Sequence, residues 1–267
     1  MVGYLRHPSV KRGLMLEHGC EKTHNDALRN FLVDEHVNPD RFGFASVQLD
    51  GGIEKVTEKV TAWFNASSTE STEAAQETGW KSMRLGLTAV GLVPEAVASA
   101  LAQLVRGIVH AGGTVVVPEN AALLQSSIFV AEALASTAIA PTISYGQAPT
   151  KPGLHIMQTP TDHSVETLTG LGATGVTVML AYVAGSPLQA HPMVPLIQVA
   201  SASGDESATA NQDDFDLVLE PETESSAVLT ELLRLVAAVA SREYTPKLFA
   251  EGNVDFQMTR GLLGVSL

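Results

Sequence analysis

Residues 83–119 read MRLGLTAVGLVPEAVASALAQLVRGIVHAGGTVVVPE. MRLGLTAV is an apolar run of strand length. Pro94 then stands where a first helical turn accepts proline, because its missing N–H would have no partner there. Apolar residues recur at helical spacing to about His110. Ala111-Gly112-Gly113 ends the helix, and TVVVPE resumes as a β-branched run between glycines and a proline. Two strands joined through a helix are parallel neighbours, because an antiparallel pair needs only a hairpin.

The alternation extends in both directions. Upstream, GLMLE (Gly13 to Glu17) is a buried strand, and Lys22 to Glu35 carries Ala27, Leu28, Phe31 and Leu32 at helical spacing. FASVQL (Phe44 to Leu49) is a second strand that ends at Asp50-Gly51-Gly52. A helix follows from Ile53 to Phe64, with Val56, Val60, Trp63 and Phe64 on its apolar side. Downstream the pattern predicts a helix around Ala121 to Ala135, strands at APTISYGQ and GLHIMQTP, and a helix from His163-Ser164 to the glycines Gly170 to Gly175. VTVMLAYVAG, MVPLIQVAS and DFDLVLE read as strands, and a long amphipathic helix spans about Glu224 to Arg242. The fold class is α/β, with mainly parallel sheets and helices on both faces. The stretch NASSTESTEAAQETG (65–79) lacks apolar periodicity and reads as a polar linker. It separates a small α/β unit, residues 1–64, from a larger α/β domain, residues 80–267.

The chain carries 16 Lys and Arg against 29 Asp and Glu, a net charge of -13. That balance repels phosphate backbones and anionic lipid, which argues against nucleic-acid and membrane-surface binding. One cysteine excludes an internal disulfide and the paired CxxC sites of structural zinc. No apolar run reaches the ~20 residues of a membrane span, and the start of the chain lacks a secretion-type apolar run. A reducing cytoplasm is the expected location.

Ligands of open α/β sheets sit at the carboxyl ends of the strands, and two stretches fall there. EHGCEKTHND (Glu17 to Asp26) gathers the single thiol, Cys20, with His18, His24, Glu17 and Glu21. Cys20 is either part of a ligand site or a small buried filler, and Glu21 is either a general base or the cap of the following helix. His24 is either a site residue or a surface histidine. Gly185-Ser186 follows VTVMLAYVAG, where small residues let backbone N–H groups approach an anion, or simply turn the chain. Near Thr159-Pro160, Asp162 or Ser164 is placed to cap a helix. Asp213, Asp214 and Asp216 form either a cation site or a solvated loop.

Five colinear segments are similar to the altronate/galactarate dehydratase family. HPSVKRGLMLEHGCEK resembles a family stretch in which His-Pro-Asn precedes a strand running into Gly-Leu-Gly-Cys-Glu. ASVQLDGGIEKVTEKV, LGLTAV with HAGGTVVVPEN, ISYGQAPTKPGLHIMQTP and GSPLQAHPMVPLIQVAS each resemble family segments in order. The resemblance implies a metal-dependent hydro-lyase that dehydrates a sugar acid or related hydroxy acid, with iron or manganese as the divalent metal. It carries over Cys20 and Glu21 as catalytic residues and His7, Thr159, Gly185 and Ser186 as substrate contacts. His24 joins the catalytic set, and His18 joins Cys20 as a metal ligand, as additions peculiar to this sequence. Where the family has Gly-Arg-Gly and Ile-Lys, this chain has Val183-Ala184-Gly185 and Ile197-Gln198, and a Gly-Gly-Ser-Asp stretch after LGL is missing. The expected assembly is an oligomer in which a partner chain supplies the missing family motifs around a small anionic hydroxy-acid substrate. The other reading is a non-catalytic subunit or binding protein that keeps the fold.

Overall fold

A computed structural model describes residues 1–21, 23–66, 78–134, 140, 142–202 and 212–257. The chain divides into two compact units, Met1–Glu77 and Thr78–Leu267. Most of the stretch read as a polar linker, residues 67–77, lies outside the described residues.

The first unit runs α1 (Val2–Leu5), β1 (Leu14–Glu17), α2 (Asn25–Asp34), a 3-10 turn (Pro39–Arg41), β2 (Gly43–Ser46) and α3 (Ile53–Asn65). β1 and β2 pair in parallel, from Leu14 opposite Gly43 to Glu17 opposite Ser46. Val2, Leu5, Met15, Leu28, Leu32, Phe42 and Phe44 close a small core. α2 begins at Asn25, not Lys22, because the Asn25 N–H donates to Glu17 Oε2 at 2.5 Å while His24 stays extended before it. Its other end is a Schellman turn. The Val37 N–H donates to the Leu32 carbonyl at 2.8 Å, and His36 takes φ +58° where glycine is usual.

The second unit contains β3 (Arg84–Val90), α4 (Glu95–His110), β4 (Thr114–Pro118), α5 (Ser127–Leu134) and β5 (Gly153–Met157). It continues with α6 (Ser164–Ala173), β6 (Val178–Val183), β7 (Leu196–Ser201), β8 (Leu217–Leu219), α7 (Ser225–Ala240) and α8 (Lys247–Ala250). All six strands are parallel, in the order β5-β4-β3-β6-β7-β8. This is the order of a doubly wound sheet, which grows outward from β3 in one direction and then restarts beside it with β6. α4 packs on α5 and α7 over one face, around Leu101, Leu104, Phe129, Leu232 and Val236. α6 covers the other face with Leu168 and Leu171, over Val116, Met157, Met179 and Ala181. Strands covered on both sides read as unbroken apolar runs, and every residue of β4 and β6 is buried.

Three expectations are corrected. The described residues of APTISYGQ form no strand. Ile143 forms one parallel bridge with Met157, and then the Ser144–Gln147 turn, with Gly146 at φ +69°, ends the pairing. The segment around Ala121 to Ala135 is two pieces, a 3-10 turn (Ala122–Gln125) and α5, separated at Ser126. The strand in DFDLVLE keeps only Leu217–Leu219.

The irregular 143–147 segment still has a packing role. The Tyr145 hydroxyl donates to the Glu166 carbonyl at 2.6 Å, and its ring lies so close over Gly170 that a β-carbon there would sit 2.1 Å from Tyr145 Cε2. Gly170→Ala is therefore expected to overpack this contact and cost about 1–3 kcal/mol. Urea denaturation should show a lower midpoint with an unchanged slope, whereas an unchanged midpoint would mean that Tyr145 moves away freely.

Candidate functional site

In the second unit the strand order reverses between β3 and β6, so their carboxyl ends flank the crevice of the sheet. Gly91 and Ala184 lie against each other there. Gly91 has φ +79°, and a β-carbon on it would come 2.9 Å from Ala184 Cβ, so a larger residue would force the strand ends apart. Gly185 has φ +124° and no described atom near the place where a β-carbon would be. Gly185 and Ser186 are both exposed.

The chain after Ser186 is held at three points. The buried Gln198 amide brackets Leu188: its Oε1 accepts from the Leu188 N–H at 2.7 Å, and its Nε2 donates to the Leu188 carbonyl at 2.8 Å. Ala190 bonds through both its N–H and its carbonyl to the 253–255 segment. His191, 1% exposed, accepts the Met193 and Val194 N–H groups on Nδ1 at 3.1 and 3.0 Å. The Gly185-Ser186 turn is thus an exposed apex on a fixed base. Sequence reading treated Gln198 only as a lost cation; its role depends on a partner ten residues back that no local pattern reveals.

Beside this crevice, the ends of β4 and β5 are tied together. The Thr159 N–H donates to Glu119 Oε1 at 2.7 Å, so Thr159 holds the scaffold through its backbone. The cap of α6 is neither Asp162 nor Ser164. Thr161 Oγ1 accepts from the His163 N–H and donates to Glu166 Oε2. Asp216 is likewise not part of a cation site. Its carboxylate accepts from the Gln198 N–H at 2.7 Å, the Tyr244 hydroxyl at 2.8 Å and the Lys247 N–H at 2.9 Å. Burial first, and this carboxylate second, push the Tyr244 hydroxyl well above its ordinary range.

In the first unit, Cys20, His18, Glu21 and His24 share the strand-end turn. Cys20 is exposed, not a buried filler, and its Sγ accepts from Gln48 Nε2 at 3.0 Å. Glu21 turns back from α2 and closes its own turn, accepting the His18 N–H at 2.7 Å and the Gly19 N–H at 2.8 Å. Those two bonds, the first larger, lower its pKa to about 2. A carboxylate held there has little proton affinity for work as a general base. Helix capping belongs to Glu17, which also lies 3.9 Å from His24 Nδ1. His7 is buried, and its Nδ1 accepts the Ser9 N–H at 3.1 Å.

Residues 123–261, more than half of the chain, match the family model for D-galactarate/altronate dehydratase, C-terminal. The chain belongs to the D-galactarate/altronate dehydratase family. No curated protein matches it. Thr159, Gly185, Ser186 and Gln198 lie within the region matched to the dehydratase domain, whereas His7, His18, Cys20, Glu21 and His24 lie before it. No helix among the described residues is long and apolar enough to cross a membrane.

The iron or manganese expected from the dehydratase resemblance needs several ligands. Among the described residues, no three His, Cys, Asp or Glu side chains come together to hold a metal ion. Cys20 and His18 therefore do not fit a resident metal centre by themselves.

Gln198→Leu removes both partners of Leu188 and is expected to cost about 1–3 kcal/mol. The Leu188 amide should then exchange with deuterium at least ~10-fold faster, as 1.4 kcal/mol corresponds to a factor of ten; unchanged exchange would dismiss the amide as the clamp. Glu21 has a folded pKa below its unfolded value, so its contribution is present above pH ~4.5 and lost as pH falls toward ~2. The His18 and Gly19 amides should lose protection across that window in wild type, and should be exposed at every pH in Glu21→Ala.

Proposed function

We propose that the chain is the substrate-binding part of a cytoplasmic hydro-lyase that removes water from a sugar acid or related hydroxy acid. The observation that carries this is the fixed Gly185-Ser186 apex at the strand-order reversal, inside the segment matched to the dehydratase family. At such a turn, backbone N–H groups and a serine hydroxyl can receive a carboxylate, and the rigid base means that little ordering is left to binding. Thr159 follows β5, two strands away from β3, where its backbone ties the β5 end to β4.

In the proposed reaction the α C–H bond breaks, its electron pair forms the C=C bond of an enol, and the β C–O bond breaks as that oxygen leaves as water. Tautomerisation then gives a 2-keto-3-deoxy acid. The charge that develops on the substrate carboxylate needs a nearby cation. Ala184 and Gln198 supply none, and the described residues do not form a metal ligand set. We therefore assign the base and the cation to a partner chain in an oligomeric assembly. The same two observations favour a second reading, a non-catalytic subunit that binds the acid without turning it over.

The test is formation of 2-keto-3-deoxy product from galactarate and altronate by the chain alone, with ferrous or manganous ion, and with any co-purifying polypeptide. Turnover is expected only with the partner present. Ser186→Ala should then raise KM about tenfold, the loss expected for one hydrogen bond to a charged group, with a smaller change in kcat. An unchanged KM would remove the apex as the substrate site. Acid binding without product in every combination would favour the non-catalytic reading.

A further inference from the structure

We propose that the first unit holds a binding site for a small metabolite bearing a carboxylate or phosphate group, in the cleft between the ends of α1 and α2 and the Pro39–Arg41 turn. The cavity is about 500 Å³, within the size range of small-molecule sites. Its lining contains Arg6, His7, His36, Asn38 and Arg41 over an apolar floor that includes Phe42, and no Asp or Glu. In a chain of net charge -13, a concave surface without a single acidic lining residue is a local reversal of the general field.

Arg41, Arg6 and Asn38 bring N–H donors to the cleft. Arg41 makes no side-chain ion pair or hydrogen bond with any described residue, and it stands on the turn that follows Asn38. Arg6 is partly compensated, with Nη1 3.3 Å from Glu35 Oε2 at the surface. The Asn38 side-chain oxygen is already used by the Asp40 N–H at 2.9 Å, which leaves its amide N–H₂ to offer. His7 Nδ1 is occupied by the Ser9 N–H, fixing the backbone beside Arg6.

His36 adds an independent observation. It occupies the left-handed position of the α2 Schellman turn, at φ +58°, where glycine carries no steric penalty. An L side chain there costs about 1 kcal/mol of backbone strain, and this one places an imidazole on the cleft wall. Strained residues of this kind concentrate at ligand sites. The cleft lies outside residues 123–261, so the inference does not rest on the dehydratase reading.

Calorimetric titration of the full chain at about 0.01 M ionic strength, where screening is weak, tests the site with malate, glycerol 2-phosphate and glycerol as probes. At least one anion should bind, and glycerol should not. Binding of malate alone would assign a carboxylate headgroup, and binding of glycerol 2-phosphate alone a phosphate. Arg41→Ala should weaken the binding about tenfold or more, as for a lost hydrogen bond between charged groups. Arg234→Ala, which removes the same charge from the exposed face of α7, should leave it unchanged. His36→Gly should weaken binding while raising the thermal midpoint, a combination that a purely structural role does not give. Absence of binding by both anions, full affinity in Arg41→Ala, or an equal loss in Arg234→Ala would overturn the proposal.

Discussion

The parallel pairing of β3 with β6 runs through six register positions, from Leu85 opposite Val178 to Val90 opposite Val183. Everything in the larger unit is arranged around it. The chain leaves β3, builds β4 and β5 to one side, and must return across α6 to place β6 against the strand where it began. Sheet growth then continues the other way through β7 and β8. That return requires α4 and α6 on opposite faces, which is why one core gathers under α4 and another under α6. It also leaves two strand ends side by side with their loops pointing apart, and the small residues Gly91 and Ala184 allow those ends to touch.

The smaller unit rests on a much shorter pairing, four residues in each of two strands. So short a sheet needs its ends held by side chains. Glu17 reaches forward to start α2, and Glu21 reaches back to close the turn between them. Two carboxylates four residues apart thus divide one task, and the exposed thiol of Cys20 rides on the turn that they define.

The sheet was legible in the sequence because strands buried on both faces leave unbroken apolar runs, as in TVVVP and VMLAYV. Helices were legible from their spacing, although Pro94, read as part of the first helical turn, is the extended residue before α4. The misreadings are local: APTISYGQ has strand-like composition, but a turn at Gly146 overrides it after one bridge. The candidate site was legible as an address, since Gly185-Ser186 does lie at a strand end, but its supports were not. Gln198 with Leu188, Asp216 with Tyr244 and Glu119 with Thr159 are partners 10, 28 and 40 residues apart. Side chains that act at such separation leave no periodic trace, and neither does a cleft assembled from Arg6, His36 and Arg41.

The Gln198 bracket also limits how this chain could change. A lysine at that position, as in the family segment it resembles, would put an ammonium where the present side chain is 1% exposed and where one contact is a backbone N–H, which cannot accept a hydrogen bond. Burying an unpaired charge costs several kcal/mol, so the loop would rebuild before it tolerated the exchange. Restoring that single residue would therefore not restore a cation to the crevice. The amide and the path of residues 186–190 form one inherited block, and the route back to the family's pattern runs through the whole block at once.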